Sequence, residues 1–382
     1  MRITFVMAGG FNLSGGDRVI SIYAERLQKR GHKVFAITPP YPPPTLREQL
    51  RSVRSGKGLL PKHVYGPSHF SDSPVPHVRL SRHRPVVDSD LPDADVVVST
   101  WWETAEWVNK LSPKKGAKAC FLQHYEAFDY LPKQRVDATW RMPLHKITIS
   151  NWLVDLARDK FGDRDVSLIY NSVDTEQFHA EKRARGQVPT VGMLYNQAPW
   201  KGVPVSVAAL EQVRREFPNL RLVTFGATDV HPKTPLPSYA THHISPAQDK
   251  IKDIYAQCDV WLCGSTSEGF HLPPLEAMAC RCPVVSTQVG GPLDIIKDGV
   301  NGYLLPVGDV DGLADRLTRV LRLPPAAWHE MSDAAYATAT RYTWDDATSL
   351  FEAALKRAVE RSAAGELVPE TRLGKLFSRL AP

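Results

Sequence analysis

Residues 259–279 read DVWLCGSTSEGFHLPPLEAMA, and this run predicts a strand, a loop and a helix in succession. Asp259–Cys263 is an apolar run of strand length, and Leu275–Ala279 consists of strong helix formers. Pro274 suits the first helical position, where a missing N–H costs nothing. We therefore expect free backbone N–H groups and the positive end of a helix beside Glu268 and Glu276.

This arrangement suits a particular kind of ligand. A diphosphate can bind the N–H groups at a helix N-terminus, and the two carboxylates can accept hydrogen bonds from hydroxyls on either side of it. The predicted chemistry is recognition of a nucleotide diphosphate joined to a sugar. The alternative is that Gly, Pro and Glu serve only as capping and turn residues, as they often do between a strand and a helix.

The run Ser267–Ala279 resembles the E-x7-E motif of retaining family-4 glycosyltransferases nearly letter for letter. The resemblance implies that Glu276 binds the nucleotide ribose and that Glu268, as a catalytic residue, lies beside the donor sugar and orients it. It also implies donor contacts from the four residues after Glu268, which are Gly269, Phe270, His271 and Leu272. His271 stands where the family usually has glycine, so we expect a reshaped sugar pocket.

Tandem glycines follow the first predicted strand in Ser14-Gly15-Gly16-Asp17. They allow a close backbone approach to an anion, but they do not form the Gly-x-Gly-x-x-Gly turn of dinucleotide-binding proteins. The same family resemblance places this loop near the donor phosphates. It therefore makes Gly15 and Gly16 predicted donor-binding residues.

Pro199-Trp200-Lys201-Gly202 falls where the family carries a lysine on the diphosphate. The resemblance thus gives Lys201 a donor-binding role and a catalytic one, the stabilisation of negative charge on the leaving group. Met193 stands in the place of the family's arginine. A lysine before a glycine is otherwise an ordinary surface residue.

Gln123-His124-Tyr125-Glu126 follows another predicted strand. The resemblance makes His124 a catalytic candidate that faces the donor sugar, with Glu126 as a weaker candidate. A purely structural histidine is the alternative. The run Trp101-Trp102-Glu103 is compatible with an aromatic acceptor platform and equally with core packing.

The composition is that of a globular protein, with 43% hydrophobic and 23% charged residues. The length of 382 residues is long for one hydrophobic core and sufficient for two. The net charge of +6 favours anionic substrates or an anionic membrane surface, or is simply a solvated surface. Five cysteines without zinc spacing predict reduced thiols in a cytoplasmic protein. We expect no signal segment and no membrane span, and peripheral contact at the inner face of a membrane stays open.

Strands alternate with helices in both halves, which predicts an α/β fold with parallel sheets. The resemblance implies the GT-B architecture, two Rossmann-like doubly wound domains facing a central cleft. We assign 1–172 to an acceptor-side domain, 173–188 to a linker, 189–343 to a nucleotide-sugar domain, and 344–382 to a helix that crosses back and a tail. Strands are predicted at 3–7, 33–38, 78–80, 95–99, 118–122, 146–150, 166–170, 190–194, 220–225, 259–263, 283–286 and 303–305.

Residues 39–90 are a proline-rich, basic excursion in which only 78–80 reads as a weak strand. A segment this long within a domain is usually functional or loosely ordered. Two interpretations stay open at this point: a loosely ordered loop, or a lid that contacts the acceptor or a membrane.

The resemblance therefore implies a retaining glycosyltransferase that moves a sugar from a nucleotide-diphosphate sugar to a glycan, a glycolipid or a small-molecule acceptor, in surface polysaccharide or glycoconjugate biosynthesis. Four Asp-x-Asp triplets, at 88, 93, 163 and 309, do not directly follow a strong strand. We thus expect no metal, as the family resemblance also implies. We also expect no cofactor and no nucleic-acid partner. The alternative is a non-catalytic nucleotide-sugar or anion-binding protein. A nicotinamide-dependent oxidoreductase would need a Gly-x-Gly-x-x-Gly turn, and neither half of this chain contains one.

Overall fold

The computed structural model describes residues 1–61 and 63–367, which divide into two compact units. The first unit holds Met1–Thr148, Leu153–Ile169 and the described residues from Thr348 on. The second holds Ile149–Trp152 and Tyr170–Ala347, so the segment predicted as a linker, 173–188, belongs to it. Residues 368–382, most of the predicted tail, lie outside the described residues.

The secondary structure alternates as expected. The strands, in chain order, are β1 Arg2–Val6, β2 Lys33–Thr38, β3 His77–Arg79, β4 Val96–Ser99, β5 Ala117–Leu122, β6 His145–Thr148, β7 Val166–Leu168, β8 Thr190–Leu194, β9 Arg221–Gly226, β10 Ala240–Ile244, β11 Val260–Cys263, β12 Val284–Thr287 and β13 Gly302–Leu305. The α-helices are α1 Gly15–Lys29, α2 Leu46–Arg54, α3 Trp102–Lys110, α4 Lys133–Trp140, α5 Asn151–Phe161, α6 Val203–Glu216, α7 Ile251–Ala256, α8 Leu272–Ala279, α9 Pro292–Ile295, α10 Val310–Arg322, α11 Pro325–Thr340 and α12 Trp344–Ala363.

The first unit is built on a parallel sheet in the order β3-β2-β1-β4-β5-β6-β7. Ile3 of β1 pairs with Val34 on one side and Val96 on the other. The chain therefore builds outward from β1 in both directions, and the loops after β1 and β4 diverge. Ligands of such sheets bind where the strand order reverses, at the carboxyl ends of the strands. The core includes Tyr23 of α1, which stacks on Phe351 of α12 with ring centroids 4.2 Å apart.

The second unit has a parallel sheet in the order β10-β9-β8-β11-β12-β13, and its strand order reverses between β8 and β11. Helices α6 and α10 cover one face and bury a mainly aliphatic core against the strands. The buried residues of that core include Val191, Met193, Leu210, Val213, Leu222, Leu262, Leu317, Val320 and Trp328. This unit carries the strand, loop and helix of residues 259–279.

The prediction of two Rossmann-like α/β domains with parallel sheets is confirmed. Each predicted strand is present with small shifts at its ends. Sequence reasoning missed the edge strand β10, whose histidines give no apolar run, and the helices α2, α4, α9 and α11. The 39–90 excursion contains α2 and β3, and Phe70, Val75 and Val86 within it are buried, so it is more ordered than a loose loop.

Candidate functional site

The loop between β11 and α8 ends in an unusual helix start. His271 precedes α8 in the left-handed conformation, with φ 69°, and the helix begins at Leu272. Pro273 and Pro274 therefore occupy the second and third helical positions, and the prediction that Pro274 takes the first was wrong. Because proline carries no N–H, two donors expected at this helix end are missing. An anion here has the N–H of Leu272, the loop N–H groups and the helix dipole to bind.

Glu268 lies at the centre of a buried polar cluster. Lys201 Nζ donates to both oxygens of its carboxylate, at 2.8 and 2.9 Å. Ser265 Oγ donates to Oε1 at 2.8 Å, and His271 Nδ1 lies 3.2 Å from the same oxygen. The side chain of Glu268 is only 7% exposed and that of Lys201 is 20% exposed, so water screens this ion pair incompletely.

Gly202 permits the contact between Lys201 and Glu268. Lys201 ends a short turn, and Gly202 follows it with φ 63° before α6 begins. A Cβ at Gly202 would lie 1.8 Å from the carbonyl oxygen of Gly264, in the loop after β11. Only glycine lets these two segments approach so closely, and their approach places the Lys201 ammonium on Glu268.

The protonation states in this cluster follow from burial and its neighbours. Burial disfavours the charge on Glu268, but the Lys201 ammonium and the hydrogen bonds from the Ser265 hydroxyl and from His271 outweigh burial and keep the pKa of this carboxyl below its usual value. Burial lowers the pKa of His271 to about 4, so its imidazole is neutral near pH 7. Because a carboxylate only accepts hydrogen bonds, we assign the imidazole proton to Nδ1. Nε2 of His271 is then an acceptor.

Glu276 lies one turn into α8 and is buried. The hydroxyl of Tyr255, in α7, donates to its Oε2 at 2.8 Å. Tyr255 is itself fully buried, and burial, followed by the charge of Glu276, holds the pKa of this phenol well above its usual value. Tyr255 therefore stays protonated and orients the carboxylate. Sequence reasoning missed both Tyr255 and Ser265, because neither belongs to a recognisable motif.

The backbone after Glu268 is fixed by close contacts within the second unit. The carbonyl oxygen of Gly269 accepts from Ser150 Oγ at 3.1 Å and from Trp152 Nε1 at 2.9 Å. The carbonyl of Phe270 accepts from the N–H of Gly291 at 2.9 Å. Because these carbonyls already accept hydrogen bonds within the protein, the backbone groups that Gly269 and Phe270 can offer a ligand are their N–H groups.

The glycine loop of the first unit begins α1. Ser14 is the N-cap of this helix, and its hydroxyl accepts from the N–H of Asp17. A Cβ at Gly15 would meet nothing within 4 Å, whereas the carbonyl of Gly16 accepts from Gln123 Nε2 at 3.2 Å. Burial raises the pKa of Asp17 to about 7. Gly15 thus leaves room for a ligand, and Gly16 ties the loop after β1 to the loop after β5.

His124 also follows β5, and its ring is held in place. Its Nδ1 lies 2.8 Å from the carbonyl oxygen of Tyr125, and its ring stacks on Phe128 with centroids 5.0 Å apart. Nδ1–H donates to the carbonyl in the neutral ring, which leaves Nε2 as an acceptor. His124 belongs to the first unit, whereas Glu268, Lys201, His271 and Glu276 belong to the second.

Glu126 caps α3. Its Oε2 accepts from the N–H of Trp102 at 2.8 Å, and burial raises its pKa to about 8. Trp102 is buried, and the guanidinium of Arg135 lies 4.7 Å above its ring. For Trp102 the structure therefore supports core packing rather than an exposed acceptor platform.

Met193 does not face the charged cluster. It lies in β8, is 2% exposed and packs in the aliphatic core of the second unit. An arginine at this position would bury a charge among Leu210, Leu262 and their neighbours. Replacing Met193 therefore cannot restore the cation that the family carries.

Among the described residues, no group of three or more His, Cys, Asp or Glu side chains is arranged to hold a metal ion.

No helix in the described part of the chain combines the length and the apolar character needed to cross a membrane.

Two family models match adjacent halves of the chain. Residues 13–177 match the family described as Glycosyltransferase Family 4, and residues 174–338 match Glycosyl transferases group 1. The D-inositol 3-phosphate glycosyltransferase of Mycobacterium avium is 44% identical over 95 residues, which are 25% of this chain and 22% of that protein. N-acetyl-alpha-D-glucosaminyl L-malate synthase of Bacillus anthracis is 43% identical over 75 residues, 20% of either chain.

Solved structures extend the likeness of fold to nearly the whole chain. Anabaena Alr3699/HepE, crystallised in complex with UDP, superposes with a TM-score of 0.71 at 15% identity over 94% of this chain and 100% of that one. The chain thus spans about a fifth of the length of the curated relatives it matches by sequence, and nearly the full length of a structural neighbour. It belongs to the family-4 glycosyltransferases with the GT-B fold.

Proposed function

We propose that this family-4 glycosyltransferase moves a sugar from a nucleotide-diphosphate sugar to a hydroxyl of an acceptor, with retention of anomeric configuration and without a metal ion. The observation that carries the proposal is the buried cluster of Glu268, Lys201, Ser265 and His271 in the loop before α8, with Glu276 eight positions further on. A nucleotide sugar offers this cluster hydroxyls, a diphosphate and a ribose, which match carboxylates, a cation and N–H donors.

In this proposal Glu276, held by Tyr255, accepts hydrogen bonds from the ribose hydroxyls. Lys201 lies between the Glu268 carboxylate and the diphosphate. The bond between the anomeric carbon and the diphosphate breaks, a bond to the acceptor oxygen forms, and the acceptor proton leaves with the diphosphate. Negative charge grows on the leaving group, so a nearby ammonium stabilises the transition state more than the ground state.

Glu268 and His271 orient the donor sugar in the same proposal. The ionised carboxylate and the unprotonated Nε2 of His271 are both acceptors, so they suit sugar hydroxyls, which can donate. His124 of the first unit and the loop at Gly15 and Gly16 keep the roles that the family resemblance gives them. Same-face attack and a short-lived ion pair both give retention.

The acceptor and the cellular role are proposed at the level of class. We propose a glycan, a lipid-linked sugar or a small alcohol as acceptor, in surface polysaccharide or glycoconjugate biosynthesis. A UDP-bound structural neighbour supports a nucleoside diphosphate as the invariant part of the donor. The five cysteines are buried free thiols, which supports a reducing, cytoplasmic location.

The test is donor turnover by the purified chain. A thermal-shift screen of UDP-, ADP- and GDP-sugars finds the donor, since a ligand at about 100 times Kd adds about 2.7 kcal/mol. Release of the nucleoside diphosphate is then measured with candidate acceptors in excess chelator, and NMR of the product gives its anomeric configuration. Tight donor binding without any release would favour the non-catalytic alternative. An inverted product, or release that requires added metal, would contradict the corresponding part of the proposal.

A further inference from the structure

Helix α2 of the first unit turns its apolar residues toward solvent. Leu46, Leu50 and Val53 follow one another at spacings of four and three residues, which places them on one face of the helix. Leu46 is 83% exposed, Leu50 is 59% exposed and Val53 is 51% exposed. Ser52 is the residue that α2 buries. A surface helix normally buries its apolar face and exposes its polar one, and α2 does the reverse.

Basic residues flank the apolar stripe on the same outward side. Arg47, Arg51 and Arg54 are all exposed, and on a helical projection they lie about 100° from the leucines. Ser52 projects away from both groups, so the stripe and the arginines together form the solvent-facing surface of α2. We call these six residues the α2 face.

The charge of the surrounding segment is one-sided. Residues 45–65 contain five Lys and Arg and a single acidic residue, Glu48, a net charge of +4 out of +6 for the whole chain. Glu48 is engaged in the capping box of α2, where it accepts from the N–H and hydroxyl of Thr45 at 2.7 and 2.8 Å. These contacts keep the pKa of Glu48 below its usual value, so its charge stays at the helix start and leaves the arginines in excess.

The segment that bears α2 is anchored at both ends. Tyr41 before it receives a hydrogen bond from Asn12 at 3.2 Å, and its own N–H donates to the hydroxyl of Tyr65 at 2.9 Å. The Tyr65 ring packs against Gly10 so closely that a Cβ there would lie 2.8 Å from it. Gln49 also binds the backbone of Leu60, which holds the adjacent apolar residues of the loop against the helix. The α2 face is therefore a built surface rather than a loose loop.

We infer that the α2 face docks on an anionic lipid bilayer. An interfacial helix places Leu and Val into the boundary between headgroups and acyl chains and its arginines among anionic headgroups, and the α2 face offers both groups side by side. Each Lys or Arg near an anionic surface strengthens binding about fivefold. A neutral bilayer would not attract the arginines, and a charged surface without an apolar layer would not take up Leu46, Leu50 and Val53. The inference does not depend on the transferase activity proposed above.

The test uses a single labelled cysteine, which this chain makes selective. All five native cysteines are buried, and burial raises the pKa of Cys120 to about 12, so they resist thiol-reactive dyes. Leu50→Cys labelled with an environment-sensitive dye reports insertion into phosphatidylglycerol-containing vesicles. Leu350→Cys is the matched control: Leu350 is 49% exposed in α12, beside Ser349, which accepts from Arg30 just after the C-terminal end of α1.

We expect a blue shift for Leu50→Cys with anionic vesicles, none with pure phosphatidylcholine, and none for Leu350→Cys with either. In co-sedimentation, Leu46→Ser/Leu50→Ser/Val53→Ser should lower the vesicle partition coefficient at least about tenfold with an unchanged melting temperature. Arg47→Gln/Arg51→Gln/Arg54→Gln should lower it by about 100-fold and remove most of its salt dependence.

Equal partitioning of the wild type and both triple variants would overturn the inference. So would a wild type that fails to bind anionic vesicles. If the wild type instead forms a dimer by sedimentation velocity, and the apolar variant is a monomer, the α2 face serves a second copy of the chain and not a membrane.

Discussion

Lys201→Met tests the charged cluster most directly, because methionine keeps the apolar stem of lysine and removes the cation. Glu268 would lose both hydrogen bonds from Nζ, at 2.8 and 2.9 Å, and keep those from Ser265 and His271. Removing one partner of a fully buried pair costs about 3–5 kcal/mol. Lys201 is 20% exposed, so screening reduces the loss, and we expect about 2–3 kcal/mol at pH 7. The second unit should then melt about 4–12 °C lower.

The loss should depend on pH with a defined sign. In the wild type the pKa of Glu268 is lowered, so its stabilisation is present above the unfolded pKa of about 4.3 and is lost as pH falls through the folded pKa. In Lys201→Met burial of Glu268 is offset less, and the pKa of both Glu268 and His271 rises, so the folded cluster retains a proton to higher pH. Stability of the variant then falls as pH rises until that proton leaves. The difference in Tm between the two proteins should be smallest near pH 4 and widen toward pH 7.

The assay is calorimetric melting at pH 4, 5, 6 and 7, together with donor turnover. Lys182→Met is the control, since Lys182 pairs with Asp333 at 2.6 Å but is 63% exposed, and its loss should cost less than about 1 kcal/mol. We expect Lys201→Met to lower kcat/KM at least about 100-fold, with the loss divided between kcat and KM. A Tm difference that is constant with pH would refute the charged cluster. Near-normal turnover would refute the role of Lys201 on the diphosphate.

Glu276→Gln should weaken nucleoside diphosphate binding about 10–100-fold by calorimetry, because a hydrogen bond to a charged group is worth about 1.5–3 kcal/mol; unchanged affinity would place the ribose elsewhere. His271→Gly should change the order of preference in a panel of nucleotide sugars and leave the affinity for the bare nucleoside diphosphate unchanged, and an unaltered panel would mean that His271 has no part in selection. Gly202→Ala should strongly destabilise the second unit in a thermal melt, since its Cβ would lie 1.8 Å from the carbonyl oxygen of Gly264. Gly15→Ala is the control, because a Cβ there meets no atom within 4 Å and should leave the melting temperature unchanged. Equal melting temperatures for the two variants would contradict the close approach at Gly202. Transfer should persist in excess chelator, and full loss that manganese or magnesium restores would show a metal requirement.

The strand, loop and helix that carry Glu268 and Glu276 could be predicted because each depends on residues close together in the sequence. The apolar run before Glu268 and the helix formers around Glu276 fix a strand, a loop and a helix within 21 residues. The start of α8 could not be fixed in the same way. Prolines are tolerated throughout the first helical turn, so Pro273 and Pro274 are compatible with either of two starting positions.

Contacts over long sequence separations were beyond local reasoning. The pairing of Lys201 with Glu268 joins residues 67 apart and depends on the glycine conformation at Gly202, which composition does not reveal. Met193 occupies the position of the family's arginine, yet its side chain packs in the core of the second unit. Helix α2 was missed because residues 39–90 were interpreted as a proline-rich, basic excursion, and its apolar stripe lies outside, contrary to the usual amphipathic pattern.

His271 connects these observations. A histidine in the left-handed region costs about 1–2 kcal/mol relative to glycine, and such a conformation persists only where surrounding contacts compensate for it. The compensating contacts here are its burial and the hydrogen bond to Glu268, the same carboxylate that Lys201 binds. The imidazole is therefore not a passive replacement for glycine. It fixes the Glu268 carboxylate and adds a neutral acceptor beside it, so a change at His271 must act on donor recognition through Glu268 as well as through the volume of the pocket.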